Sequence, residues 1–353
     1  MPIEIPISNR KKKLLLRLVD EYIRSAKPIS SLELAPHFRV SSATIRNELK
    51  ELEELGFLRQ PHQASGRVPT ARAYRLYVDQ LLSSVKVDTG AVRALVRTFR
   101  QLGNEIEKLV TGSLDELMQA SGYMAYVMLP RVNPFVVRSI NFIEIDNNQL
   151  IIVMVTDLGV LQSEPIRTEV QVKKLMLGHL NERLTNCLRG RNLADLQFSE
   201  IRSVLEDFAT LPVSIQARLE TFLSEIASSE SRVVFSDAYK LLTQPEFYTV
   251  ERFRRLIDII NDEDEFLEML EERASNEAEV DAIIGEESGK AELSDISILF
   301  SQVKYGGGFQ GKIGLLGPAR LDYSGSLPLV LRVAQAMSRV IDEWREGSEN
   351  DAD

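Results

Sequence analysis

Ser41, Ser42, Thr44, Arg46, Asn47 and Lys50 fall within ten consecutive residues and share one chemistry. Arginine pairs with guanine, asparagine with adenine, and short hydroxyls with base or phosphate. To read base edges, such groups must project from one face of a helix that enters the major groove. The spacing predicts that helix over residues 42–55. Ile45, Leu49 and Leu52 form its inner face, Ser41 its N-cap and Gly56 its stop. Its free N-terminal amides favour phosphate. Glu48, Glu51, Glu53 and Glu54 crowd the later part, which points out of the groove in the usual docking.

The surrounding elements fit that task. Leu14, Leu15, Leu18, Val19, Tyr22 and Ile23 recur at helical spacing over residues 10–25, and Pro28 ends that helix. Ser30 followed by Glu33 is a capping-box pattern that opens a short helix ending near Phe38. A tight turn leads to Ser41. Beyond Gly56, residues 57–70 read as a hairpin around Ser65-Gly66-Arg67, and residues 71–85 as a helix. This is the layout of a winged helix-turn-helix. Arg59 and Arg67 flank or tip the wing, where they are expected on DNA backbone or minor groove. Arg10 to Lys13 are expected to add phosphate contacts without sequence preference.

Charge separates this module from the rest. The 353 residues carry a net −10, which by itself argues against a nucleic-acid partner. Residues 1–90 hold 15 Lys+Arg and 10 Asp+Glu, a net of +5. The remainder holds 27 against 42, a net of −15. A basic reading module joined to an acidic body follows.

Other chemistries find no support. Cys187 is the single cysteine, so no intramolecular disulfide forms, in keeping with a reducing cytoplasm. His37, His62 and His179 lie at no zinc-ligand spacing from it. On a helix, His179 and Cys187 point in different directions, so no nucleophile pair forms and no enzyme is expected. Residues 262–265 are acidic but lack the alternating ligands and central Gly of an EF-hand. Apolar runs are too short to span a membrane, and Arg17 and Asp20 interrupt the one after Lys13 too early for an export signal. Gly306-Gly307-Gly308-Phe309-Gln310-Gly311-Lys312 matches a phosphate-loop pattern. Ile313 replaces the Ser or Thr that magnesium needs, and a strand rather than a helix follows. No cofactor and no metal are expected.

Residues 91–120 read as helical. Strand patterns follow at 123–128, 136–145, 150–156 and 160–166, then mostly helix over 171–275 with a possible strand at 232–235. Strands return at 280–284, 296–303 and 312–316 before a helix over 325–345. This order suggests one sheet domain interrupted by a helical insertion. Arg320 and Asp322 read as parts of a structural turn.

Residues 40–49, the wing Ser65-Gly66-Arg67-Val68-Pro69-Thr70 and Tyr74-Arg75-Leu76-Tyr77-Val78-Asp79 resemble the HrcA family of bacterial heat-inducible transcription repressors. So does Gly314-Leu315-Leu316-Gly317-Pro318-Ala319-Arg320-Leu321-Asp322-Tyr323. Ile284-Gly285-Glu286-Glu287 and Gln244-Pro245-Glu246-Phe247 match more loosely. Ala73, Ala319 and Leu321 depart from the usual Gly, Thr and Met. The helix motif alone also fits DeoR-type repressors, and a metabolite-gated repressor of that kind is the alternative. The resemblance implies an α+β chain: a winged helix-turn-helix over 1–85, a GAF-like antiparallel-sheet domain over 86–185 and 276–345, a mostly helical inserted dimerisation domain over 186–275, and a disordered tail over 346–353. It further implies a homodimer on an inverted-repeat operator of the CIRCE type upstream of chaperone genes. Repression would be relieved by heat, with the GroEL chaperonin as modulator, in the bacterial cytoplasm at the nucleoid.

Overall fold

A computed structural model of the chain describes residues 7–62, 65–103, 105–129, 136–146, 148–156, 159–192, 198–208, 211–227, 233–272, 279–306 and 309–350. The first module is built from α1 (Asn9–Ser25), α2 (Ser31–Leu34), α3 (Ser42–Glu54), β1 (Leu58–Arg59), β2 (Val68–Pro69) and α4 (Ala71–Leu82). Its local signals act as the sequence predicts. Ser30 and Glu33 form a reciprocal capping box, Ser41 caps α3 through the Thr44 amide, and Gly56 leaves the helix with φ +77°. Leu14, Leu18, Ile45, Leu52 and Phe57 are buried completely and make the core between the helices.

The wing is the antiparallel pair β1 and β2, with Arg59 opposite Val68. A bridge from Ile29 to Arg67 lays the α1–α2 connection beside it. The approach is so close that a Cβ on Gly66 would sit 2.5 Å from the Ile29 carbonyl. Only glycine fits there.

α5 (Thr89–Arg100) and α6 (Ile106–Ser121) lead into the body. Its main sheet has the order β7-β3-β10-β9-β8, all antiparallel: β3 (Met124–Met128), β7 (Val233–Phe235), β8 (Val280–Ile284), β9 (Ile296–Gly306) and β10 (Phe309–Pro318). This is the GAF-like sheet. α6 and α12 (Tyr323–Asn350) cover one face. The other carries Tyr126, Phe300 and Leu316 packed with Phe266 and Leu270 of α11 (Glu263–Glu272); α10 (Val250–Asn261) precedes it. Tyr126 meets Phe266 edge-on at 5.1 Å between ring centroids, so side chains fill this face. Buried on both sides, β3 has no polar alternation.

A second sheet, β4 (Val137–Asp146), β5 (Gln149–Thr156) and β6 (Gly159–Arg167), lies between β3 and β7 in the chain. Among the described residues, its strands join no strand of the main sheet. Its inner residues Ile140, Phe142, Ile152 and Met154 are buried. α7 (Lys174–Leu188) runs along β4, followed by α8 (Phe198–Glu206) and α9 (Val213–Ala227). Asn181 accepts from the Phe142 amide and donates to its carbonyl, and Thr185 does the same for Ile140. Side chains of a helix thus stand in for a missing strand.

Two expectations change. Strands 137–167, expected in the GAF-like domain, belong to neither side of its sheet, whereas α10 and α11, expected in the insertion, pack against it. Strand periodicity reports exposure and not which sheet a strand joins. The expected disorder of 346–353 is also corrected as far as Asn350: α12 continues to that residue, anchored by the buried Trp344. Residues 351–353 lie outside the described residues. The glycine loop joins β9 to β10, with 307–308 outside the described residues. Gly311 and Gly314 are strand positions where a Cβ would strike Met128 and Leu299 carbonyl oxygens of neighbouring strands.

Candidate nucleic-acid interface

The predicted polar set runs from the N-cap of α3 to Lys50, past its midpoint. Ser41, Arg46, Asn47 and Lys50 are exposed, and Ser42 and Thr44 half-exposed. The Ser41 and Thr44 hydroxyls lie 2.9 Å apart, tying two of them to the cap. Among the described residues, no hydrogen bond or ion pair engages the side chain of Arg46 or Asn47. Ala43, also exposed on this turn, was missed because alanine carries no polar signal.

Each acid of α3 is held by a cation. Glu48 is buried and pairs with Arg10 of α1. Lys11 pairs with Glu51, Arg67 with Glu53 at 2.8 Å, and Lys50 with Glu54 at 3.7 Å. Four carboxylates that would repel phosphate are thereby neutralised within the module.

These pairings relocate several expected contacts. Arg67 has a side chain only 16% exposed and turns toward α3 instead of solvent. Arg10 and Lys11 face Glu48 and Glu51; Lys13 remains exposed. Arg59 is exposed but lines a cleft between the module and the body, beside Tyr22, Tyr74 and Arg320. A separate hollow of about 450 Å³ lies between α2, α3 and the wing, lined by Ser30, Leu32, Arg46, Gln60 and Arg67.

Two clamps fix the module to the body. Arg75 of α4 donates to Glu287 at 2.7 Å and to Asp281 at 3.2 Å, and also to the Ala282 carbonyl. Arg320 binds both carboxylate oxygens of Glu246, at 2.5 and 3.0 Å, and donates to the Ile23 carbonyl of α1 at 3.4 Å. Burial disfavours the charge on Arg320, but hydrogen bonding and charge from Glu246 outweigh it and raise the guanidinium pKa. The turn role read for Arg320 is thus too narrow. Asp322 accepts from the Gly325 amide at the start of α12, a structural role. The scattered motifs at 74–79, 244–247, 284–287 and 314–323 meet at this junction.

Among the described residues, no helix is long and apolar enough to cross a membrane, and no group of three or more His, Cys, Asp or Glu could hold a metal.

A winged helix with a neutralised reading helix, joined to a GAF-like body, defines the class: a DNA-binding transcription regulator. The family model for the winged helix-turn-helix transcription repressor, HrcA DNA-binding, matches residues 6–83, and that for the HrcA protein C-terminal domain matches residues 107–327. The chain belongs to the HrcA family of heat-inducible transcription repressors. It is 29% identical to the heat-inducible transcription repressor HrcA of Natranaerobius thermophilus, over 95% of this chain and 97% of that one. It is also 29% identical to that of Halalkalibacterium halodurans, over 97% and 100%. A solved crystal structure of a hypothetical protein superposes with a TM-score of 0.66 at 22% identity, covering 96% of this chain and 98% of that one, and shares the fold.

Proposed function

We propose that the chain represses chaperone operons by binding an inverted-repeat operator of the CIRCE type as a homodimer in the bacterial cytoplasm, at the nucleoid. Each α3 reads one half-site, with Arg46 and Asn47 on base edges and Ser41, Ser42, Thr44 and Lys50 on bases or phosphate. The observation that carries this is the division of α3: exposed Ser41, Arg46 and Asn47 toward its N-terminal end, and acids paired within the module, Glu54 by Lys50 itself. Arg67 sets the wing against α3. Arg59 reaches backbone only if the module tilts away from the body.

Dimerisation is supported by the outer face of the second sheet. Ile143 opposes Ile151 there, beside Val153 and Val155, and Ile143 is 51% exposed. An exposed apolar patch of this kind, bordered by Ser139 and Asn141, is covered by a second copy in the dimer. Heat relieves repression by loosening the module–body clamps, which removes the fixed spacing between two α3 helices. The GroEL chaperonin restores the folded dimer. Gel-shift titration on an inverted repeat and on scrambled DNA at physiological salt tests the reading; equal affinity for both overturns it.

A further inference from the structure

The cleft between the winged helix and the body has a volume of about 380 Å³, within the range of small-ligand sites. The DNA-reading module contributes Tyr22, Arg59 and Tyr74; the body contributes Glu246, Arg252 and Arg320.

Its polar groups are unequally used. Arg320 occupies both oxygens of Glu246. Arg252, its side chain 52% exposed, makes a long ion pair with Asp295 at 3.8 Å and donates to the Glu246 carbonyl at 3.5 Å, both at the edge of contact. Arg59 is exposed, and no hydrogen bond or ion pair engages its guanidinium among the described residues. The same holds for the hydroxyls of Tyr22 and Tyr74, and Tyr74 is only 4% exposed. Burial raises the pKa of both phenols, so each remains an O–H donor at neutral pH. Glu286 and Asp295 also line the cleft, but among the described residues neither engages the Arg59 guanidinium or the two phenol hydroxyls, which stay free to donate.

We propose that this cleft binds a small oxyanion, a carboxylate or a phosphate, between Arg59 and Arg252 with the Tyr22 and Tyr74 hydroxyls as further donors. Guanidinium pairs recognise either group through charge-assisted hydrogen bonds. Such a ligand touches both modules at once. It therefore favours the docked orientation of the winged helix by its differential affinity for that state.

Calorimetric titration of the full chain with inorganic phosphate, and separately with malonate, at ionic strength held constant with chloride, tests the site. Saturable binding of one anion per chain, weakened tenfold or more in both Arg59→Gln and Tyr22→Phe, is the expected result. Phosphate binding without malonate assigns a phosphorylated ligand; the reverse assigns a carboxylate. Absence of saturable binding by either probe overturns the proposal, as does binding that both variants leave unchanged. Thermal unfolding of the variants, run in parallel without anion, verifies that they fold. The titration contains no DNA, so its outcome is independent of operator recognition.

Discussion

Glu53 Oε2 lies 2.8 Å from Arg67 Nε, joining the last turn of α3 to the wing. The pair ties α3 to the wing, the two parts proposed to approach DNA. Arg67→Glu should weaken operator binding, and Glu53→Arg with Arg67→Glu should recover it, with a coupling of about 1 kcal/mol in the double-mutant cycle. If the double variant stays as weak as the single one, Arg67 acts on phosphate directly.

Arg46 projects from the first turns of α3, and its guanidinium has no partner among the described residues. Arg46→Ala should cost about 1–3 kcal/mol of specific affinity. Thermal stability should stay within about 0.5 kcal/mol, as for other exposed positions. Competitive gel shifts read the first effect and calorimetry the second; unchanged discrimination between operator and scrambled DNA removes Arg46 from the reading surface.

The Arg320 clamp makes a different prediction. Arg320→Ala leaves the Glu246 carboxylate, 20% exposed, without its cation. The loss should be about 2–3 kcal/mol. Calorimetry should show a lower unfolding midpoint, and operator release should begin at a lower temperature. A variant that melts and releases DNA like the parent would remove the clamp from the proposed heat response.

Lys312 gives the chain a pH signature. Its ammonium donates to the Leu270 carbonyl and sits 4.7 Å from the centre of the Phe300 ring. Burial lowers its pKa from 10.5 to about 8, against the opposing pull of Glu271 and Asp281. Between those values the unfolded chain binds more protons than the folded one, so stability rises as pH increases from about 8 toward 10.5. Below pH 8 the cost of the buried cation is present in full. Lys312→Met should flatten the rise in denaturant melts at pH 7 to 10; an unaltered slope would place its origin elsewhere.

The exposed face of β4 and β5 predicts an oligomeric state. Ile143→Lys puts a charge on a surface residue and leaves the inner face intact. On the proposed homodimer, sedimentation should show this variant as a monomer where the parent is a dimer, with operator affinity falling in parallel. A variant that sediments as a dimer would place the interface elsewhere.

The winged helix was legible because its signals are local. Ser30 with Glu33, Ser41 and Gly56 each act within a few residues, and the folded chain uses them as caps and a stop. The exposed face of α3 follows from the same periodicity. What was not legible depends on residues distant in sequence. Glu48 reads as a solvated acid until Arg10 is laid over it, and Arg67 as a wing-tip cation until Glu53 is found beside it. The Arg75–Glu287 contact spans 212 positions. Sheet membership fails for the same reason: β4 to β6 carry ordinary strand patterns, and only their pairing separates them from the main sheet.

The amide and hydroxyl side chains of Asn181 and Thr185 occupy the hydrogen-bonding edge of β4. Should α7 lift away, that edge lies bare next to Ile143 and Ile145, both already exposed. An unpaired edge beside an apolar face is a template for strand addition between chains. Partial melting of this region therefore sets up a race between re-docking of one helix and pairing with a neighbouring molecule. Recovery of DNA binding after heating should slow as protein concentration rises.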